Sequence, residues 1–152
     1  MNNYFYAETE SSCKQNDGTF RTRTIEYLIE SESIEQTESI LKEIWNNLGL
    51  NKIIKIEQFD VDELFISDPE FLIEIGEEMP YYFILESRYY PTEIDDNIKK
   101  ITTNEVFEKY VVQDSSVISA CESIMLFKGD LPNFEITSCV MSNIEDVVLA
   151  ND

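Results

Sequence analysis

The sequence predicts an α+β protein built by internal duplication of a strand-strand-helix-strand(-strand) unit, with antiparallel sheets and one helix per repeat. Three observations carry this. Runs of aromatic and β-branched residues alternate with polar ones, as half-buried strands require. Two segments show a serine cap followed by apolar residues at helical spacing. The corner joining the second strand to the helix is written twice: placing Tyr27 on Tyr110 aligns Leu28 with Val111, Ile29 with Val112, Ser33 with Ser116, Ile34 with Val117 and Leu41 with Ile124 without a gap.

The first repeat spans 1-66. Tyr4 to Thr9 and Phe20 to Ile29 are strand-like, and Ser11 to Gly18, which ends Asn-Asp-Gly, makes them a hairpin. Ser33 caps a helix with Gln36 as its capping-box partner; Ile34, Thr37, Leu41, Ile44 and Leu48 form the buried face, and Gly49 is placed to end it. Lys52 to Phe59 is a strand, and Val61 to Ile66 a shorter one after an acidic bend.

The linker, 67-80, contains Asp68-Pro69-Glu70, a helix start that predicts a short helix over Phe71 to Ile75 before Gly76 breaks it. In the second repeat, 81-152, Tyr81 to Glu86 is a strand, the long polar link Pro91 to Lys100 replaces the first hairpin loop, and Ile101 to Val112 is a strand. Ser115 or Ser116 caps a helix whose Val117, Ala120, Cys121, Ile124 and Phe127 form one face, ending at Gly129 with Pro132 barring continuation. Phe134 to Met141 and Ile144 to Leu149 complete the repeat, and an Asn-x-x-Ile at Asn51 and at Asn133 extends the correspondence. The two repeats are expected to form one pseudo-twofold unit.

The aromatic opening strand, Tyr27-Leu28-Ile29-Glu30 with Ser33-Ile34-Glu35, Glu63-Leu64-Phe65, Val111-Val112-Gln113 and Ile144-Glu145-Asp146-Val147 together resemble an uncharacterised domain-of-unknown-function family of small duplicated α+β proteins from gut-type bacteria and their phages. The resemblance implies paired α+β repeats over most of the chain and supplies no catalytic residues.

The chain holds 31 Asp and Glu against 11 Lys and Arg, a formal net charge of -20. Such a field repels phosphate backbones, so direct nucleic-acid binding is not expected; it steers towards basic protein surfaces, including the nucleic-acid grooves of other proteins. Solubility alone is the plainer account of acidity. Nothing resembles a signal peptide or spanning segment, so a cytoplasmic protein is expected, in the host cell if phage-encoded. Cys13, Cys121 and Cys139 show no paired spacing, which predicts reduced thiols, with Cys13 exposed in the hairpin loop.

With no histidine, Ser-His, Cys-His and His-metal chemistry are excluded. No cofactor and no resident metal are expected. Asp60, Asp62 and Glu63, or Glu93, Asp95 and Asp96, could hold Mg²⁺ for a hydrolase, but neither set has a metal-loop spacing, and solvated acidic loops are the simpler reading. Asp60, Asp62, Glu63, Tyr89, Tyr90, Glu93, Asp95 and Asp96 are the candidate interaction surface, aromatic anchors beside charge-selecting acids. Tyr81, Tyr82 and Phe83, with these tyrosines, could instead form the seam between the repeats. Arg21, Arg23, Lys99 and Lys100 are candidate contacts for a small anion.

The leading expectation is therefore a non-enzymatic protein binding a basic host or viral protein, in its sharpest form a nucleic-acid mimic. A small-anion or nucleotide-binding module and a phage structural or assembly component are the alternatives, and self-association is compatible with each.

Overall fold

The computed structural model describes residues 3–46, 50–67, 74, 76, 79–91, 94–95, 100–101 and 105–150. The chain forms β1 (Asn3–Lys14), β2 (Phe20–Ser31), α1 (Ile34–Trp45), β3 (Leu50–Gln58), β4 (Glu63–Phe65), β5 (Tyr81–Tyr89), β6 (Ile94–Asp95), β7 (Lys100–Ile101), β8 (Val106–Asp114), α2 (Val117–Lys128), β9 (Glu135–Met141) and β10 (Ile144–Val148). The expected α+β duplication is present: two four-stranded, mainly antiparallel sheets, ordered β10-β2-β1-β3 and β4-β8-β5-β9, each with one helix.

The correspondence between the copies extends to register. In the first sheet Phe5, Tyr6 and Ala7 face Ile29, Leu28 and Tyr27; in the second Phe83, Ile84 and Leu85 face Val112, Val111 and Tyr110. The offset that carries Tyr27 to Tyr110 also carries Ser33 to Ser116, Ile56 to Cys139 and Glu63 to Asp146. Both sheets bulge at the same place, between Glu8 and Thr9 and between Glu86 and Ser87, leaving Ile54 and Thr137 as the extra residues. This register moves the expected Asn-x-x-Ile match by one residue, so that Ile53 corresponds to Ile136, and Asn133 lies in a turn at φ 55° before β9.

Each helix starts by the same physics. The Oγ of Ser33 accepts from the Gln36 N–H at 3.0 Å, and that of Ser116 from the Ser119 N–H at 3.1 Å. Gln36 Oε1 accepts in turn from the Glu32 N–H at 2.6 Å, so orphan donors at the helix start are satisfied. Asn46, left-handed at φ 43°, caps the end of α1; Gly49 lies outside the described residues, and Gly129 caps α2. Leu41 seals a core with Ala7, Tyr27 and Ile29, and Ile124 seals one with Phe83, Leu85, Tyr110, Val112 and Ala120.

The fourth strand of each copy does not return to its own sheet. β4 pairs in parallel with β8, and β10 pairs in parallel with β2, in equivalent registers: Leu64 faces Val111 and Val147 faces Leu28. Chain geometry requires it. Since β3 already runs parallel to β2, a fourth strand beside β2 in the same sheet would need a crossover of about a dozen residues. Residues 59–62 span at most about 14 Å, less than half the roughly 30 Å length of the nine-residue β3.

The chain accordingly divides into unit 1, Met1–Asp60 with Asn143–Asp152, and unit 2, Val61–Ser142. These bounds differ from the sequence repeats 1-66 and 81-152 because the fourth strands are exchanged and residues following β4 join unit 2. Of the expected helix over Phe71 to Ile75 only Glu74, which is helical, lies among the described residues, and Gly76 follows at φ 67°. The first hairpin is longer than expected, both strands continuing to a tight turn in which Gly18 adopts φ 86°. In place of a plain link after β5, β6 and β7 pair as a small hairpin.

Two outcomes follow. Leu41→Ala should lower unfolding stability by about 2–5 kcal/mol in a denaturant melt, since the side chain is fully buried in a closed core. Ending the chain after Ser142 should speed hydrogen exchange of the Tyr27 to Ile29 segment, which loses its β10 neighbour, while Tyr110 to Val112 stays protected; equal loss in both segments would contradict the exchanged pairing.

Candidate interaction surfaces

The acidic bend is divided by the fold. Asp60 belongs to unit 1 and is exposed, whereas Asp62 and Glu63 belong to unit 2 and are bound into its structure. The Asp62 N–H donates to the Lys109 carbonyl at 2.8 Å, and an Asp62 carboxylate oxygen accepts from the Lys109 N–H at 2.7 Å. Asp62 thus starts the β4–β8 ladder with its side chain. Glu63 holds the Lys128 ammonium at 2.8 Å.

Lys128 lies 5.7 Å from the centre of the Tyr110 ring, and the Tyr110 hydroxyl donates to Glu108 at 2.9 Å while accepting from Ser87 at 3.3 Å. Burial pushes the Tyr110 phenol well above its ordinary value, opposed by the hydrogen bond from Ser87 and aided by Glu108. The bond to Glu63 raises the Lys128 ammonium. Both shifts keep the protons in place, the opposite of what a nucleophile or general base at neutral pH needs. Among the described residues no group of three or more Cys, Asp or Glu is gathered closely enough to hold a metal ion.

Of the tyrosines, Tyr82 and its neighbour Phe83 are buried on opposite sheet faces, while Tyr81 is exposed. Tyr89 is half-buried, its phenol raised by burial and by Glu108. Tyr90 donates to Glu105 at 2.6 Å. Asp95 faces Lys100 in the β6–β7 pair; Glu93, Asp96 and Lys99 lie outside the described residues.

Arg21 and Arg23 share one face of the first hairpin, where Arg21 stands opposite Cys13 and Arg23 opposite Ser11. With Gln15, Thr22 and Ile25 they line a concavity of about 530 Å³. Arg23 already donates to Glu145 of β10 at 2.7 Å. Cys13, expected in the loop, is in β1, exposed as anticipated.

Two features escaped the sequence reading. Glu8 and Glu26 face each other across β1 and β2. Among the described residues neither is in an ion pair: Lys55, the other neighbour of Glu8, pairs with Glu57 at 3.6 Å and lies over the Tyr6 ring. Counting back along both strands from the Asn-Asp-Gly turn would have exposed this pairing. The second feature is α2, whose expected buried face is only partly buried: Ala120 and Ile124 are enclosed, but Val117 and Phe127 are exposed, together with Ile118, Met125 and Leu126. A mostly apolar helix, broken only by Ser119, Glu122, Ser123 and the terminal Lys128, gives little periodic signal for choosing the buried face. The α1 residues Ile34 and Ile44 are likewise exposed rather than buried, and Leu48 is outside the described residues.

Comparison with known proteins returns no relative: no family model, curated protein or solved structure matches the chain. No helix among the described residues is long and apolar enough to cross a membrane.

Asp62→Ala should cost about 1 kcal/mol in a denaturant melt, since it orphans the Lys109 N–H at the ladder's start, and Asp60→Ala should cost nothing measurable. Thiol labelling gives a separate check. Burial and a hydrogen bond with Cys121 push the Cys139 thiol up to about 12. Iodoacetamide near pH 8 should therefore modify Cys13 more than about tenfold faster than Cys139, read by peptide mass spectrometry.

Proposed function

We propose that this chain is a non-enzymatic interaction protein that selects a basic protein partner by charge. The observation supporting the reading is the facing pair Glu8 and Glu26. Like charges directly opposite in a ladder lower sheet stability, and solubility needs only that acids be exposed, not that they be opposed. Five of the basic residues, Arg23, Lys55, Arg88, Lys109 and Lys128, are each held by a carboxylate, which leaves the field strongly negative. The sharpest form of this function is mimicry: carboxylates occupy a basic groove that would otherwise hold phosphates, and a host or viral protein that processes or defends against nucleic acid is blocked.

The Arg21–Arg23 concavity supports a second reading, a small-anion site, although the Arg23–Glu145 bond weakens it. A nucleotide panel that raises the melting temperature of wild type but not of Arg21→Ala would favour that site.

Charge selection is tested by adding the purified chain to defined basic nucleic-acid-binding domains at about 50 and 500 mM salt. Binding should weaken at least about tenfold at high salt and should also weaken in Glu8→Gln/Glu26→Gln. Binding to none, or binding indifferent to salt and to these substitutions, would remove the proposal.

A further inference from the structure

The duplication provides an internal control for the outer face of α2. The same offset that aligns the two copies places Ile118 on Glu35, Cys121 on Glu38, Met125 on Lys42 and Leu126 on Glu43. In α1 that face is charged and exposed; in α2 it is apolar and, apart from the half-buried Cys121, exposed, Ile118 at 72% and Leu126 at 85%. The fold therefore does not demand apolar residues there, since the first copy is built without them. With Val117 and Glu122 these side chains line a groove of about 640 Å³. It runs about 14 Å along the helix, enough to seat two to three turns of a second helix through anchors three and four residues apart.

Charge decides the occupant. The one cation of α2, Lys128, is already held by Glu63 at 2.8 Å, so among the described residues Glu122 is the one charged side chain lining the groove, in a chain of net charge -20. A second copy fits poorly. A twofold pairing of α2 with itself, antiparallel about the centre of the groove, would bring one Glu122 close to the other and two strongly acidic chains together. We propose that the outer face of α2 is the docking groove for a basic amphipathic helix of a partner protein, its apolar stripe on Ile118, Met125 and Leu126 and a Lys or Arg beside Glu122. This deepens the charge-selective reading above and rests on it.

The test uses the full chain and three fluorescent peptides of about eighteen residues: a Leu/Lys amphipathic helix, its Leu/Glu counterpart, and a Leu/Lys peptide of scrambled order. The variant Ile118→Glu/Leu126→Glu copies residues the first repeat carries at these positions, and the exposed single change Leu126→Glu serves if the double variant fails to fold. Anisotropy should show binding of the amphipathic Leu/Lys peptide alone, weakened at least about tenfold by the variant and by salt, with sedimentation showing a wild-type monomer.

Equal binding to wild type and variant, or equal binding of the scrambled peptide, would overturn the groove. A wild-type dimer that the variant dissolves would assign the face to a second copy instead. The two proposals separate cleanly. Salt-dependent binding lost in Glu8→Gln/Glu26→Gln but kept in the α2 variant would remove the groove and leave charge selection standing. Binding lost in the α2 variant, yet indifferent to salt and shared by the Leu/Glu peptide, would remove the basic partner and charge selection together.

Discussion

The connections that follow β3 and β9 are too short to reverse the chain across a sheet, and this limit on reach shapes the molecule. A strand in line to continue past the edge of its own sheet must find hydrogen-bond partners elsewhere, because an exposed ladder edge invites uncontrolled pairing. The other copy offers a free edge of matching register at β8 or β2, and the apolar residues Phe65 and Val148 reach the corresponding positions in the two cores. Sheet order, the division into units and the role of Asp62 as a ladder starter all descend from that limit.

Because the copies share register, bulge and caps, their differences stand out as departures from a common frame. Thr37 in α1 bonds the Ser33 carbonyl at 2.9 Å and the Ser31 hydroxyl at 2.5 Å; the matching places in the second copy hold Ala120 and Asp114, which binds Ser123 at 3.2 Å. Both arrangements satisfy buried polar groups, so either serves stability. Cys121, in place of Glu38, packs against the second core, but Ile118 and Leu126, in place of Glu35 and Glu43, satisfy nothing within the fold. Exposed apolar surface of that kind carries a solubility cost that a partner would offset.

The strand-to-helix corners were legible in the sequence because burial dictates their pattern: a serine cap, then one apolar residue per turn under Leu41 and Ile124. The exchange of β4 and β10 was not, since pairing partners far apart leave no local trace and a three-residue strand such as Glu63–Phe65 reads the same in either sheet. Asp62 looked like a free acid because a carboxylate accepting a backbone N–H has no sequence signature. The α2 surface was misread because periodicity identifies a buried face only when the opposite face is polar. Of the candidate site residues in the bend, Asp60 is exposed and makes no ion pair among the described residues, while Glu63 and, beyond the bend, Tyr90 hold bonds within the fold.

Strand exchange also orders the birth of the protein. As the chain leaves the ribosome, β1, β2, α1 and β3 can assemble, but β2 keeps an open edge until residue 148 has emerged. Unit 2, although later in the sequence, is contiguous and can close first. The first-made half is then the last to be finished, and the loop from β2 to β10 must close over more than a hundred residues, a slow step by the logic of contact order. During that interval mutual repulsion among acidic chains would discourage a neighbour's strand from taking the vacant edge, giving the net charge a use during synthesis that is separate from any it has in the finished molecule.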